Sequence, residues 1–289
     1  ANVYNQRFED LTKAMPGVEC VLTDQDVPQV RFTKAGQSYP EPSPYDRLIL
    51  DKWVRYVGDE VAIVAAIDEK TALAALDLIK VDYEVLEPVL DLDTAIDHPS
   101  VVHPEHDLSC NFPIGLERER NIASSHTSEY GDVEAELARC EVVVEESYRT
   151  QAQAQAMMET FRTFTHLDQA GRLVVISSTQ IPFHVRRQLA RALQIPATRI
   201  RVIKPRIGGG FGAKQTGVSE VYPAIVTLKT GKPAKIVYER KETFIASNSR
   251  HATRFTVRMG ANRDGMIRVV DIQGCSDTGA YGEHAPTVF

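Results

Sequence analysis

Apolar and polar residues alternate along this chain with two periods, and each change of period marks an element. Short apolar runs bounded by turn residues, VECVL at 18–22 and VAIVAAI at 61–67, predict strands. KWVRYV at 52–57 alternates like a third, and VDYEVLEPVL at 81–90 reads as a fourth. Between them EKTALAALDLIK carries an apolar stripe at helical spacing behind Asp68, a residue suited to cap it. FEDLTKAMPG at 8–17 predicts a short helix stopped by Pro-Gly, and the Pro-, Gly- and Ser-rich stretch at 26–48 predicts a long loop.

Residues 97–130 hold Pro99, Pro104 and Pro113 with little periodicity, and read as a linker or a surface excursion. Beyond them GDVEAELARCE predicts a helix and EVVVEESYRT a strand. RLVVISS, IPFHVRRQLARAL and RIRVIKP then predict strand, helix and strand. QTGVSEVYPAIVTLK reads as a helix interrupted at Pro223, and AKIVYER as a strand. The pattern then changes to an antiparallel hairpin turning at Asn262-Arg263-Asp264-Gly265. No internal repeat is visible. The mixture predicts an α+β fold.

Composition narrows the function. The 289 residues are 43% hydrophobic and 25% charged, as in a globular protein with a sizeable core. A net charge of -6 and a pI near 5.8 argue against nucleic acid as a partner. No apolar run approaches the roughly 20 residues that span a bilayer. The first residues, ANVYNQRFEDL, lack the features of a signal peptide, so a cytoplasmic location is expected. Cys20, Cys110, Cys140 and Cys275 are scattered, which predicts reduced, mostly buried thiols and no iron–sulfur or zinc site within this chain.

The chemistry concentrates in Ile207-Gly208-Gly209-Gly210-Phe211-Gly212-Ala213-Lys214-Gln215. Such a glycine run permits positive φ and lets a ligand approach the main chain. A phosphate-binding P-loop needs Gly-Lys followed by Ser or Thr, whereas Ala213 separates Gly212 from Lys214 and Gln215 follows. Gly208-x-Gly210-x-x-Ala213 formally fits a dinucleotide fingerprint. Against it, the loop opens late in the chain and a hairpin, rather than further βαβ units, follows. The third reading is a pocket in which N–H groups at Phe211 and Gly212 face a ligand oxygen. Ser178-Thr179-Gln180, ending one predicted strand before a helix, adds a side-chain amide to that pocket.

Taken in order, these segments resemble the molybdenum hydroxylases, which include xanthine dehydrogenase and aldehyde oxidoreductase, and in particular bacterial xanthine dehydrogenase-like molybdopterin-binding subunits. The pieces are Gly131-Asp132-Val133-Glu134 with EVVVEESYRTQAQAQAMMET, Ser178-Thr179-Gln180 with its helix, the glycine loop, and Asp277-Thr278-Gly279-Ala280-Tyr281. The upstream stretch WVRYVGDEVAIVAAIDEKTALAALDLIKVDYEVLEPVLD resembles the family's α/β-hammerhead. The resemblance implies a partial hammerhead domain at 1–97 without its first strands, a linker at 98–130, and the first part of a mixed α/β molybdopterin-binding domain at 131–289.

It also implies roles. Gln180 would donate to an oxo ligand of molybdenum held by a pyranopterin. Gly209, Gly210, Phe211 and Gly212 would bring backbone to the same group, so that Gln180 and Phe211 touch the metal's outer sphere. Gln215 holds a substrate-contacting position that is a glutamate in animal xanthine dehydrogenases. An amide there donates and accepts hydrogen bonds but supplies no charge. Lys214 reads as a surface lysine at a helix N-terminus. Glu159 reads either as part of the family's Met-Glu segment or as a structural carboxylate paired with Arg162. The family's general-base glutamate has no counterpart before Phe289, so no catalytic residue is expected here. The chain reads as a fragment or one piece of a split subunit, inactive alone. Its implied activity inserts water-derived oxygen at an electron-poor carbon of a purine or related heteroaromatic, with aldehyde- or nicotinate-type substrates as alternatives. Iron–sulfur clusters and FAD are expected in partner domains or subunits of a hetero-oligomer, along with the rest of the molybdenum subunit. Two other classes stay open: a NAD-dependent dehydrogenase, and a non-catalytic assembly or binding protein.

Overall fold

The computed structural model of the chain describes Asn2–Tyr4, as backbone only, and residues 12–288. The first four residues of the helix predicted at 8–17 lie outside the described residues. Strand β1 (Asn2–Tyr4) is followed by β2 (Val18–Leu22), β3 (Ile63–Ala66), helix α1 (Glu69–Leu76) and β4 (Asp82–Glu84). β2 pairs antiparallel with β3, and β1 with β4. Asp68 caps α1 as its position predicts: its Oδ1 accepts the Thr71 N–H at 2.8 Å. The strand predicted at 81–90 shortens to β4, all exposed.

Of the strand predicted at 52–57 only a single bridge residue, Trp53, is found among the described residues. Local side chains capture the backbone there instead. Asp51 accepts the Trp53 N–H at 3.1 Å, and Asp59 accepts the Arg55 N–H at 2.7 Å. A segment whose donors are satisfied by carboxylates has no need of a ladder.

The second half begins with α2 (Leu92–Ala95), α3 (Val133–Arg139) and β5 (Val142–Thr150). Next come β6 (Arg162–Leu167), β7 (Leu173–Ser177), α4 (Pro182–Ala192), β8 (Ile200–Ile203), α5 (Val221–Thr230), β9 (Ala234–Val237) and α6 (Arg240–Ile245). The hairpin β10 (Ala252–Ala261) and β11 (Ile267–Asp277) turns where expected. β5 adds to that hairpin in a three-stranded antiparallel sheet ordered β11-β10-β5.

The other large sheet, ordered β8-β7-β6-β9, carries the core. β7 is its most apolar strand and is flanked on both sides, which suits a near-continuous apolar run. α4 buries Val185, Gln188, Leu189 and Ala192, a single stripe spaced three and four apart, against that core. β7 and β8 run parallel, with Leu173 opposite Ile200, and α4 crosses between them. The two strands therefore release their following loops at the same end of the sheet. Those loops are Ser178–Gln180 and the glycine run.

Helix α5 does not start at the glycine loop. It begins at Val221, so Pro223 lies in its first turn, where a missing N–H costs no intrahelical bond. The reading of one long helix broken at Pro223 is thereby corrected. β6 was not foreseen either. Its inward residues are Thr163 and Thr165, both buried, while Phe164 faces outward at 38% exposure. Their hydroxyls pair with Ser219 and Thr227, each at 2.8 Å.

Residues 98–130 carry little regular structure. Glu105 pairs with Arg55 and lies 3.6 Å from Arg31, and Ile114 is buried. Near the other end of the chain, Glu283 pairs with Arg47 at 2.7 Å, and the Arg47 guanidinium stacks 3.6 Å from the Tyr281 ring centre. Tyr281 donates to Asp59 at 2.9 Å, and the Gly282 N–H donates to Asp46 at 2.7 Å. The segment at 281–284 is thus bound to residues 46–59. All four cysteines are free thiols, half-buried rather than buried. No helix among the described residues is long and apolar enough to cross a membrane.

Candidate functional site

Ligands of open α/β sheets bind outside the carboxyl ends of parallel strands. Here that position is formed by two segments, and the structure brings them into contact. The Gln180 N–H donates to the Lys214 carbonyl at 2.8 Å, and the Gly212 N–H donates to Gln180 Oε1 at 3.2 Å. Gln180 lies across Gly210, where an added Cβ would fall 2.6 Å from the Gln180 Cδ. Only glycine at 210 leaves that place to the carboxamide.

The loop conformation follows from its glycines. Gly209 has φ +101° and Gly212 φ +91°, in the region that glycine tolerates. Phe211 also has positive φ, +52°, a strained value for a non-glycine residue, and its ring is 66% exposed. Gly210, between Gly209 and Phe211, is outside this region, and such alternation turns successive N–H groups toward one face, a shape that binds anionic oxygen. The Gly210 and Phe211 N–H groups donate to no acceptor among the described residues. With Oε1 of Gln180 turned to Gly212, its NH2 group remains as a further donor. At Gly209 an added Cβ would lie 3.1 Å from the Phe211 ring and 3.2 Å from Met157 Cβ.

Gln215 is positioned through its backbone. Its carbonyl accepts from His284 Nε2 at 3.0 Å, and a Cβ on Gly36 would fall onto that same carbonyl. The 34–36 segment is itself pinned by Gln188, whose Nε2 donates to the carbonyls of Lys34 and Ala35 at 2.9 and 2.6 Å. His284 and Gly36 therefore belong to the site's surroundings. A histidine just after the Asp-x-Gly-Ala-Tyr segment was the available sequence signal for one of them. Gly36, in a Pro- and Gly-rich loop, offered none.

Lys214 is the main correction. It is 1% exposed, not a surface lysine. Its Nζ lies 2.9 Å from Glu159 Oε2 and 2.7 Å from Ser178 Oγ. Glu159 is also within 3.5 Å of Arg162, the pairing expected for it, and it accepts the Gly208 N–H at 2.6 Å and the Ser178 hydroxyl at 2.6 Å. Burial alone would raise the Glu159 carboxyl. The hydrogen bonds from Lys214, Ser178 and Gly208 outweigh it and hold the group down at about 2.

The geometry weighs against a dinucleotide fold. After the glycine loop the chain makes only a 3-10 turn at Ala213–Gln215, and the next α-helix starts at Val221. A helix N-terminus set to receive a pyrophosphate is thus not at the loop.

Comparison with known proteins identifies the family. A family model described as "Molybdopterin cofactor-binding domain" matches residues 115–289, more than half of the chain. The chain belongs to this family. A second model, "Aldehyde oxidase and xanthine dehydrogenase, a/b hammerhead domain", matches residues 8–87. The fold is therefore a hammerhead unit followed by a mixed α/β molybdopterin-binding unit. A relative named "Probable hypoxanthine oxidase XdhD" from Escherichia coli (strain K12) is 40% identical over 300 residues, covering 96% of this chain and 31% of its own length. The "Nicotinate dehydrogenase large molybdopterin subunit" of Eubacterium barkeri is 32% identical, covering 97% of this chain and 62% of its own. Among solved structures, CO dehydrogenase from Oligotropha carboxidovorans superposes with a TM-score of 0.73 at 25% identity, over 95% of this chain and 34% of that one. The chain thus spans about a third of the first of these relatives, and these relatives are oxidoreductases by name.

The donor set suits the family's cofactor. A concave row of backbone N–H groups, a free carboxamide NH2 and a glycine with no room for a side chain match an oxygen-bearing ligand approaching the main chain.

Proposed function

We propose that residues 1–289 are the part of a xanthine dehydrogenase-like molybdenum subunit that cradles the oxo side of molybdopterin. The observation that carries this is the contact of Gln180 with Gly210 and Gly212 where β7 and β8 end. When bound, the cofactor supplies two-electron redox chemistry at molybdenum.

This chain's own residues then do the following. The Gln180 NH2 and the Phe211 N–H would hold an oxygen of the bound cofactor, as donors fixed in place beforehand. Gly210 keeps Gln180 in place. The exposed Phe211 ring, standing over the loop, forms an apolar wall. Gln215 reads a planar heteroaromatic substrate by donating and accepting through its amide, without a proton of its own to give. The substrate class proposed is a purine or related ring, in keeping with the 40% identical relative named as a hypoxanthine oxidase. The iron–sulfur clusters and FAD are proposed for other domains or subunits of the assembly. The domain division proposed is hammerhead at 1–97, a connecting segment at 98–130 and molybdopterin-binding from 131 onward.

The test uses a complete molybdenum subunit that contains these residues, purified with its iron–sulfur and FAD partners from a host that makes the cofactor. Molybdenum per chain is measured, with oxidation of hypoxanthine, nicotinate and an aldehyde in 18O-labelled water. Wild type should carry molybdenum and label a purine product. Gln180→Ala should retain its fold and lose about 10²-fold in kcat, the usual cost of one preorganised donor. A wild-type protein without molybdenum would sink the proposal, and labelling of the aldehyde alone would sink the purine assignment.

A further inference from the structure

A charge pair between buried Lys214 and half-buried Glu159 closes the base of the glycine loop. Glu159 holds both ends of that loop. Its carboxylate accepts the Gly208 N–H at 2.6 Å, and the same oxygen is 2.9 Å from Lys214 Nζ. Its own N–H donates to the Gly208 carbonyl at 3.1 Å, so Gly208 is gripped by donor and acceptor together. A Cβ on Gly208 would lie 2.7 Å from the Glu159 Cβ, so the approach needs glycine.

Lys214 is bonded at both of its ends. Its Nζ reaches Glu159 and, at 2.7 Å, Ser178, while its carbonyl accepts the Gln180 N–H at 2.8 Å and the Thr179 hydroxyl at 3.4 Å. Three segments that are distant in sequence meet at this one pair: the Met157–Glu159 stretch, the end of β7 and the loop. Between the two gripped ends the loop bends outward through Gly209, Phe211 and Gly212, all with positive φ.

We infer that Glu159, Lys214 and Ser178 are positioning residues, a clasp that sets the distance between the Gln180 carboxamide and the N–H face of Gly210–Gly212. None of the three needs to touch a ligand. The Lys214 side chain has no exposed surface. A pair placed only for stability would be replaceable by neutral residues of similar size. A clasp would not be, because neutral side chains fill the space without drawing the loop ends together. Its bearing on molybdopterin rests on the function proposed above, while its bearing on the loop does not.

The experiment compares wild type, Lys214→Met, the double variant Glu159→Gln with Lys214→Met, and the mild variant Ser178→Ala. The readouts are melting temperature, amide hydrogen exchange in cofactor-free protein, and molybdenum content after cofactor loading. The reporting amides are Ala213, Gln215 and Gln180, whose hydrogen bonds to Gly210, Gly212 and Lys214 depend on the loop's shape. Lys214→Met alone should melt early, since it leaves Glu159 only the more exposed Arg162 as a cation. The double variant should recover the melting temperature but exchange these amides about tenfold faster, as for a loop that opens locally. Ser178→Ala should do the same by about threefold while staying folded. Molybdenum content should fall in step with exchange.

Wild-type exchange in both the double variant and Ser178→Ala would overturn the clasp. So would a double variant with faster exchange and undiminished molybdenum. If wild type itself takes up no molybdenum, the function proposed above fails, and the exchange rates alone decide the clasp. If the double variant does not fold, Ser178→Ala decides it.

Discussion

Among single residues, Asp46 has the most distinctive titration. Its Oδ2 accepts the Gly282 N–H, its Oδ1 has no partner among the described residues, and burial pushes its carboxyl up to about 7. An exposed aspartate ionises near 4, so between about pH 4 and pH 7 the folded chain holds a proton that the unfolded chain releases. Asp46 therefore subtracts stability as pH rises through that window. Asp46→Asn, which never ionises, should gain on wild type from pH 5 to pH 8 in urea denaturation. A difference that stays constant with pH would mean that Asp46 is ionised in the native chain. Glu159 shows the opposite case, a carboxyl held at about 2 by its donors, and its contribution is present above about 4.5 and lost only as pH falls toward 2.

At the scale of elements, β6 tests how a strand can be built on inward threonines. Thr165 and Thr227 pair hydroxyl to hydroxyl at 2.8 Å, both fully buried. Thr165→Val or Thr227→Val alone leaves a buried hydroxyl poorly matched and should cost about 1–2 kcal/mol. The double valine variant should cost less than the sum, and additive losses in a double-mutant cycle would refute the pairing. The same strand explains what could not be read in advance. Hydrophobic periodicity found β7, α4 and the hairpin because each buries apolar residues at its own spacing. It missed β6, whose buried face is polar and whose phenylalanine faces outward. It also misread 52–57, where the alternation is genuine but Asp51 and Asp59 take the backbone donors. In the site, Gln180 and the glycine loop were legible because their residue types are unusual. Lys214 was not, because nothing in a single sequence says that a lysine has a carboxylate waiting inside the fold.

Over the whole molecule, long-range polar contacts do what an apolar core does elsewhere. Arg47 and Glu283, both buried, join residues near the start of the chain to the segment that reaches Gln215 through His284. Burial would raise the Glu283 carboxyl, but Arg47 and Lys34 outweigh it and keep it low. Arg47→Met leaves that carboxylate buried without its main partner and should cost about 3–5 kcal/mol, with the loss shared by distant probes. Arg47→Met paired with Glu283→Gln should recover a substantial part. A local effect, seen in exchange at 281–284 but not in global unfolding, would show that the two halves are less coupled than the ion pair suggests.

The contact of Gln180 with Gly210 has a consequence for how this chain can change over time. The two positions share a single volume, so the size of one residue limits the other. A side chain at 210 becomes admissible only when residue 180 is shortened, and a long amide at 180 demands glycine at 210. Substitutions at these places should therefore travel in pairs, large with small. A lineage that exchanged them would give up the amide donor at 180 without having to pass through an unfolded ancestor.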